Sequence, residues 1–356
     1  MKTWDVAIIG AGAIGLSLAW RLRRTGATVL VVEKSEPARE STHAAGGMIA
    51  HCDPQNPPAM ASLIAASARM YQEFVRELKE ASFESCDLRS VGTIAFGDDD
   101  ESPACDGSFA LNAAELAQLE PRLELRDCAF FLPESSIDPR KLGSALEKAS
   151  RNGGVDFVTG APVTEVAIIG HRAAGVRTSK SFYPAAAVVN CAGAWAAQLR
   201  PFGVPTRPVK GQMLCLVPVA ASHAAGPLVQ HVIRTPEVYI IPRSDGRIVL
   251  GATVEEAGFD KRVDSAAVQA LHAAATRAVP AIGQMRIHEA WAGLRPGSPD
   301  NLPILGATSV SGYYAATGHY RDGILLAPVT AHLMTQVLAG TPPDLDLTRF
   351  SPQRFA

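Results

Sequence analysis

The sequence predicts an α/β fold built from two units. One is a discontinuous, doubly wound nucleotide-binding unit; the other is a β-rich α+β unit with a mostly antiparallel sheet. Three observations predict this. The chain opens with an apolar strand, a glycine-punctuated turn and a helix. Its middle is dominated by short strands separated by turn residues. Its end returns to a strand, a second glycine-punctuated turn and an apolar helix. A chain of 356 residues is also long enough for two units rather than one small domain.

The opening run WDVAII reads as a buried parallel strand from Asp5 to Ile9, because it is apolar without alternation. Residues 13–25 read as a helix ended by Gly26, and ATVLVVE as a second buried strand ending at Glu33. Together they make one βαβ unit. Between strand and helix, Gly10-Ala11-Gly12-Ala13-Ile14-Gly15 has the form G-x-G-x-x-G. The first glycine makes the tight turn, the second lets a pyrophosphate approach the backbone, and the third lets helix and strand pack closely. The helix start offers unpaired N–H groups and the positive end of its dipole. Glu33 lies 18 residues beyond Gly15, placed to take ribose hydroxyls. A carboxylate there favours an adenosine without a 2′-phosphate, so FAD or NAD. No second mononucleotide unit follows directly, which favours FAD in this Rossmann-like unit.

Residues 35–58 are rich in Gly, Ala, Ser, Pro and His and read as a long functional loop. Its small residues, STHAAGGMIAH, permit close approach of a flat ring system. Residues 60–80 carry Leu63, Ile64, Tyr71, Phe74, Val75 and Leu78 at helical spacing. VGTIAF reads as a strand. Asn112 and Glu115 form a capping box for a short helix, and Asp138-Pro139 opens a helix stopped by Gly153-Gly154. Strands follow at VDFVTG, PVTEVAIIG, AAGVRTS and AAAVVNCAG, with GHRAAG as a hairpin connection. QMLCLVP, VYIIPR and RIVLGATV continue the β-rich part, with a helix near 265–279. The expected division is 1–80, 137–203 and 287–356 for the FAD-binding unit, and 81–136 with 204–286 for the substrate-binding unit.

Charge and cysteines exclude several classes. The formal net charge is -2 with no run of like charges, so no nucleic-acid surface is expected. The apolar stretch Val6 to Trp20 holds three glycines and is too short to span a bilayer, which needs ~20 residues. No membrane docking is expected. The six cysteines are scattered, with no C-x-x-C pair and no histidine clustering, so no metal is expected. They read as reduced, mostly buried thiols of a cytoplasmic protein.

GAGAIG, Glu33, STHAAGGM, NCAGAWA, WAGLRP and ATGHYRDGILLAP together resemble the D-amino-acid oxidase superfamily of FAD-dependent amine oxidases. PVKGQ, YIIPRSDGRIVLGATVEEAGFD, WAGLRPGSPDNLPILG and GHYRDGILLAPVT most resemble the glycine oxidases linked to thiamine biosynthesis. The resemblance covers nearly the whole chain. It implies FAD lined by Ala13, Ile14, Glu33, Lys34, Ser41, Thr42, Gly46, Gly47 and Met48, beside Gly10, Gly12 and Gly15. It gives the backbone of Val163 to the adenine. It puts the turn of His319, Tyr320, Arg321, Asp322, Gly323, Ile324 and Leu325 at the flavin ring. Related sarcosine oxidases attach flavin through a cysteine near the block that here reads EAWAGLRP; that block has none, so FAD is expected to be non-covalent.

An α-amino acid needs a cation for its carboxylate, a slot for its side chain and an aligned Cα–H. Arg295 is the first candidate for the carboxylate, because a guanidinium offers a planar two-pronged fork. The resemblance gives Arg295 that role, gives the Tyr239 hydroxyl a share in it, and gives Arg321 a substrate contact through its backbone carbonyl. Asp322-Gly323 is expected to open a helix whose N-terminus faces the pyrimidine side of the flavin and stabilises negative charge there. His319 is not expected to act as a base, and no catalytic acid or base is assigned. The proline-rich stretch 51–58, Met213 and the loop around His231 are candidates for shaping the pocket.

The expected reaction is oxidative deamination of glycine and other small amino acids or amines, such as sarcosine and small D-amino acids. Hydride passes from Cα to flavin N5, with O2 as acceptor and hydrogen peroxide as product. The alternatives are a flavin dehydrogenase using another acceptor, an NAD-dependent dehydrogenase, and a non-catalytic flavoprotein subunit. The resemblance also implies a homo-oligomer, with a tetramer as the family's habit.

Overall fold

Apolar strands without alternation need cover on both faces of their sheet, and the N-terminal strand pair lies at the centre of such a sheet. The structure is a computed structural model describing residues 2–97, 105–125, 128–219 and 227–355. Strand Trp4–Ile9 runs parallel to Val29–Val32 on one side and to Phe182–Asn190 on the other. Asp156–Val158 extends the sheet in parallel beyond Val29–Val32, and Tyr313–Thr317 extends it beyond Phe182–Asn190. Ile304–Ala307 closes that edge antiparallel to Tyr313–Thr317. The C-terminal strand therefore lies two places from the N-terminal one.

Alternate residues of Trp4–Ile9 serve different cores. Val6 and Ile8 face a cluster containing Leu16, Leu63, Leu142 and Leu333, one from each of the helices Ala13–Arg24, Ala61–Ser82, Pro139–Asn152 and Ala327–Leu338. Ala7 and Ile9 face a second cluster with Val166, Val176 and Tyr313, where the hairpin of Val163–Ile169 and Arg172–Thr178 covers the other face. That hairpin turns through Gly170 and His171, both left-handed with φ 56° and 64°, as a two-residue hairpin turn demands. Asp138 caps Pro139–Asn152 by accepting from the N–H groups of Arg140 (3.0 Å) and Lys141 (3.3 Å). Asn112 and Glu115 close the expected capping box.

The second sheet has eight strands, in the order 286–297, 207–217, 248–251, 239–242, 232–234, 93–96, 129–132 and 109–111. It is antiparallel except where Val232–Arg234 pairs with Thr93–Phe96. Helix Ser265–Ala278 packs on it through Val268, Leu271 and Ala275.

Four features differ from the sequence reading. Strand Arg286–Gly297, expected in the nucleotide unit, pairs with Arg207–Val217 in the second sheet along almost its whole length. We propose the division between the two sheets as the domain boundary, with this strand in the second unit. The long loop contains a short helix, Ser41–Ala44, and a strand, Met48–Ile49, paired with Ser135–Ser136. The C-terminal helix begins at Ala327, not at Asp322; Asp322 and Leu326 close one preceding turn (2.8 Å), and Pro328, lacking an N–H, fits only the helix's first turn. Finally, the cysteines are not all reduced thiols. Cys52 and Cys105 form a disulfide, because the loop after Ala50 folds onto Phe130 and Leu132 and meets the segment at Cys105.

Gly15 shows how tightly the nucleotide turn is packed. A Cβ there would lie 2.1 Å from the Gly10 carbonyl oxygen. Gly15→Ala is expected to destabilise the apoprotein by about 1–3 kcal/mol, the usual range for overpacking, measured by urea unfolding. Gly97→Ala, where nothing lies within 4 Å of the added Cβ, is the control and should be neutral.

Candidate active site

In doubly wound sheets, ligands sit beyond the carboxyl ends of the parallel strands. Here the ends of Trp4–Ile9, Phe182–Asn190 and Tyr313–Thr317 open onto one cleft, with about 1240 Å³ of empty space including its mouth. Drug-sized ligands occupy roughly 300–1,000 Å³, so the cleft suits a long cofactor and a small substrate together.

Gly12 caps helix Ala13–Arg24 with no side-chain partner. A Cβ on Gly12 would come no nearer than 3.4 Å to the Thr42 hydroxyl. Packing therefore does not require this glycine; its effect is to leave bare backbone facing the cleft. The Ala13 N–H donates to the Thr42 hydroxyl (2.8 Å), which joins the loop to the helix start. Glu33 is buried and accepts from the N–H groups of Ala11 (2.8 Å) and Ser35 (3.0 Å). It thus ties the second strand to the glycine turn. Ser41, Thr42, Gly46, Gly47 and Met48 line the cleft with Gly12, Ala13 and Ile14. Gly10, Gly15, Glu33, Lys34, Val163 and Leu325 lie outside its lining. The Lys34 ammonium pairs with Glu40 (2.8 Å) and lies 3.1 Å from the centroid of Trp195.

At the other end, the turn after Thr317 is held by its carbonyls. The Tyr71 hydroxyl donates to the Ile324 oxygen (2.7 Å) and the Ser67 hydroxyl to the Leu325 oxygen (2.6 Å), both from helix Ala61–Ser82. Among the described residues, the N–H groups of Gly323, Ile324 and Leu325 have no protein acceptor. Two of these successive unpaired donors, Gly323 and Ile324, belong to the cleft wall and fit the carbonyl and anionic edge of a flavin pyrimidine. The residues present therefore fit FAD at both ends. His319 is buried, bonded to the Thr330 hydroxyl (3.0 Å), and desolvation brings its pKa down to about 3, so it is neutral. Burial pushes the Asp322 carboxyl up to about 6, and among the described residues nothing hydrogen-bonds to it.

Arg295, on strand Arg286–Gly297, stands opposite Val209 and lies over Gly211, where a Cβ would be 2.4 Å from its Nη1. Its Nη1 donates to the carbonyls of Thr253 (3.1 Å) and Lys210 (3.3 Å). Among the described residues no carboxylate forms an ion pair with it. Desolvation lowers its pKa, the Tyr320 phenol acts in the opposite sense, and the Arg321 charge adds to the lowering. Tyr239 and Arg321 meet: the Arg321 Nη2 donates to the Tyr239 hydroxyl (3.0 Å). Met213 lines the cleft beside Ile241 and Ala252. His231 does not; it is held by Glu120 through Nδ1 (2.9 Å).

Sequence reasoning missed several residues. Tyr71 read only as a core position of an amphipathic helix, and Ser67 carried no signal. Gly211 had no turn to mark it. Asp53 lines the cleft and pairs with Arg234 (3.2 Å) and Arg321 (3.4 Å), partners far along the chain.

The raised pKa of Asp322 carries a sign. Its protonated form is favoured in the fold, so its stabilisation is full below its ordinary 3.8 and is lost as pH rises through about 6. Asp322→Asn should stabilise the apoprotein by about 1–3 kcal/mol at a pH of about 8 and change little near pH 4. Urea unfolding across that range measures it; equal stability gaps at both ends would show that Asp322 is not desolvated.

Comparison with known proteins agrees with this geometry. The family model for FAD-dependent oxidoreductases matches residues 5–337. The bifunctional protein ThiO/ThiG of Synechocystis sp. is 35% identical over 365 residues, taking in 99% of this chain and 54% of that one. The chain thus spans about half the length of that relative. The hydrogen cyanide synthase subunit HcnC of Pseudomonas aeruginosa is 30% identical over 413 residues, covering 99% of this chain and 97% of its own. The crystal structure of glycine oxidase from Geobacillus kaustophilus matches with a TM-score of 0.91 at 28% identity, covering 99% of both chains. Among the described residues, no helix is long and apolar enough to cross a membrane. With the family match running from the first strand into the last helix, the chain belongs to the DAO family of FAD-dependent oxidoreductases.

Proposed function

We propose that this protein oxidises glycine and other small amino acids or amines, including sarcosine and small D-amino acids, with O2 as the electron acceptor. For glycine the balance is glycine, O2 and water giving glyoxylate, ammonia and hydrogen peroxide. The observation that carries the reading is Arg295, a guanidinium in the cleft wall bonded only to carbonyl oxygens. The glycine oxidase structural match supports it.

FAD, when bound, supplies the two-electron acceptor for the hydride leaving the substrate Cα. Gly12, Ala13, Ile14, Ser41, Thr42, Gly46, Gly47 and Met48 would hold it along the cleft, and the turn from His319 to Leu325 at its ring. The absence of cysteine from EAWAGLRP supports non-covalent attachment. Arg295 binds the substrate carboxylate and so fixes where the Cα–H points. Tyr239 supports that end of the site. Met213, Ile241 and Ala252 line the cleft with apolar surface, which excludes water and limits side-chain size. His319, its basicity lowered by burial and its Nε2 engaged with Thr330, is not assigned as a base. A homo-oligomer and cytoplasmic residence belong to the same reading. The Cys52–Cys105 bond limits the cysteine argument for the latter to the buried Cys86, Cys191 and Cys215.

The competing reading is a dehydrogenase that passes electrons to an acceptor other than oxygen. Anaerobic titration with glycine, followed by air and a peroxide assay, separates the two. Bleaching of the flavin and recovery with peroxide supports the oxidase. Bleaching that air does not reverse supports the dehydrogenase, and no bleaching by glycine, sarcosine or D-alanine rejects both. In the same assay Arg295→Ala should keep FAD but weaken substrate use by about 2–5 kcal/mol, the range for an unpaired charge at a buried contact. Unchanged kinetics would remove Arg295 from the site.

A further inference from the structure

Two arginines face the substrate end of the cleft, yet an amino acid such as glycine has one carboxylate. Arg295 meets only carbonyl oxygens. Arg321 is different: its fork is filled by the chain. Nη1 donates to the Gln55 amide oxygen, while Nη2 donates to the Tyr239 hydroxyl (3.0 Å) and pairs with Asp53 Oδ2 (3.4 Å). The Asp53 side chain is 7% exposed and that of Arg321 30%, so the pair lies in the cleft wall, largely removed from water.

Asp53 is itself firmly placed. Its Oδ1 accepts from the Gln55 N–H (2.9 Å), and its Oδ2 also pairs with Arg234 (3.2 Å). Arg234 is buried and has its own carboxylate, Glu134 (3.4 Å), likewise buried. Glu134 accepts in turn from the Cys52 N–H (3.0 Å), next to the disulfide. The charges therefore cancel in pairs. Glu134 balances Arg234, which leaves the charge of Asp53 for Arg321. Asp322 lines the same cleft but forms no ion pair with Arg321.

We propose that Asp53 sets the substrate class: by neutralising Arg321 it leaves Arg295 as the one uncompensated cation of the cleft among the described residues. The site then accepts amino acids with a single carboxylate and refuses those with two. A dicarboxylic amino acid would need a second free guanidinium; without one, its second carboxylate would be desolvated against Asp53, a like charge. This inference rests on the proposed role of Arg295 and adds a specificity residue to it.

The test uses the FAD-loaded protein and two readouts. The first is binding without turnover: acetate and malonate are titrated while the flavin absorbance is followed, in the parent and in Asp53→Asn. Asparagine keeps the size of the side chain and an acceptor for Gln55. The parent should bind acetate at least as well as malonate. Asp53→Asn should shift the malonate-to-acetate affinity ratio about tenfold or more toward malonate, since removing one charge a few ångströms away is worth at least that. The second readout is the ratio of kcat/KM for iminodiacetate to that for sarcosine, which should rise by a similar factor. An unchanged ratio in both readouts overturns the proposal. So does a parent protein that prefers malonate, and that measurement stands even if Asp53→Asn does not fold. A parent that binds acetate but is bleached by no amino acid defeats the oxidase reading; the binding ratios still decide the role of Asp53.

Discussion

A guanidinium that meets only carbonyl oxygens keeps its charge available, and the substrate end of this protein depends on preserving that condition at Arg295. Several features do so. The residue-by-residue pairing of Arg286–Gly297 with Arg207–Val217 places Arg295 opposite Val209, beside a glycine that leaves room for the planar head. Glu255, bridged to Lys210 beside that strand, forms no ion pair with Arg295 among the described residues. Instead Glu255 accepts from Gln212 Nε2 (2.8 Å) and the Thr253 hydroxyl (2.5 Å) and pairs with Lys210 (3.4 Å). Glu255 is thus engaged by other groups, and Arg295 keeps a guanidinium that no carboxylate pairs with directly among the described residues. Burial then makes that charge worth more to a carboxylate than it would be in water.

The cofactor end depends on strand order. Because Tyr313–Thr317 pairs with Phe182–Asn190, and that strand with Trp4–Ile9, the turn after Thr317 reaches the same cleft as the Gly10–Gly15 turn. A residue near the start and a residue near the end of the chain thus serve one elongated ligand. Helix Ala61–Ser82 completes the arrangement from below. Ser67 and Tyr71 draw the carbonyls of Leu325 and Ile324 toward the core, and among the described residues the neighbouring N–H groups are left unpaired. The family membership is consistent with this, but the donor set stands on its own chemistry.

What was legible in the sequence was what local chemistry decides. The glycine turn, Glu33, the Asp138 cap and the Asn112–Glu115 box each carry their signal within a few residues. Arg295 and the turn from His319 to Leu325 were legible through resemblance, not periodicity. Strand Arg286–Gly297 was not legible as part of the second sheet, since IHEAWAGLRP neither alternates nor forms an apolar run; only its pairing partner, some eighty residues earlier, defines it. The proline-rich stretch 51–58 was opaque for a related reason. Its residues have no period, and their meaning lies in Glu134, Arg234, Arg321 and Cys105. Composition announced a loop; it could not announce what the loop would touch.

That stretch also bears on how a site can hold so small a substrate. Glycine, the proposed substrate, offers a carboxylate, an amine and one carbon, so remote contacts cannot supply the energy needed to organise a loose pocket. The organisation has to exist beforehand. Loop 51–57 is tied by the Cys52–Cys105 bond, by the Cys52 N–H to Glu134, by Asp53 to Arg234, and by Asn56 Nδ2 to the Ala50 carbonyl (2.9 Å). Each tie is to a different group, and most of them are buried. With the loop so fixed, Asp53 can hold Arg321 in place without help from a ligand, and Arg321 in turn positions the Tyr239 hydroxyl. The mouth is therefore shaped by the protein's own ion pairs before any substrate arrives. Under the proposed role of Asp53, that charge pattern distinguishes one small acid from another.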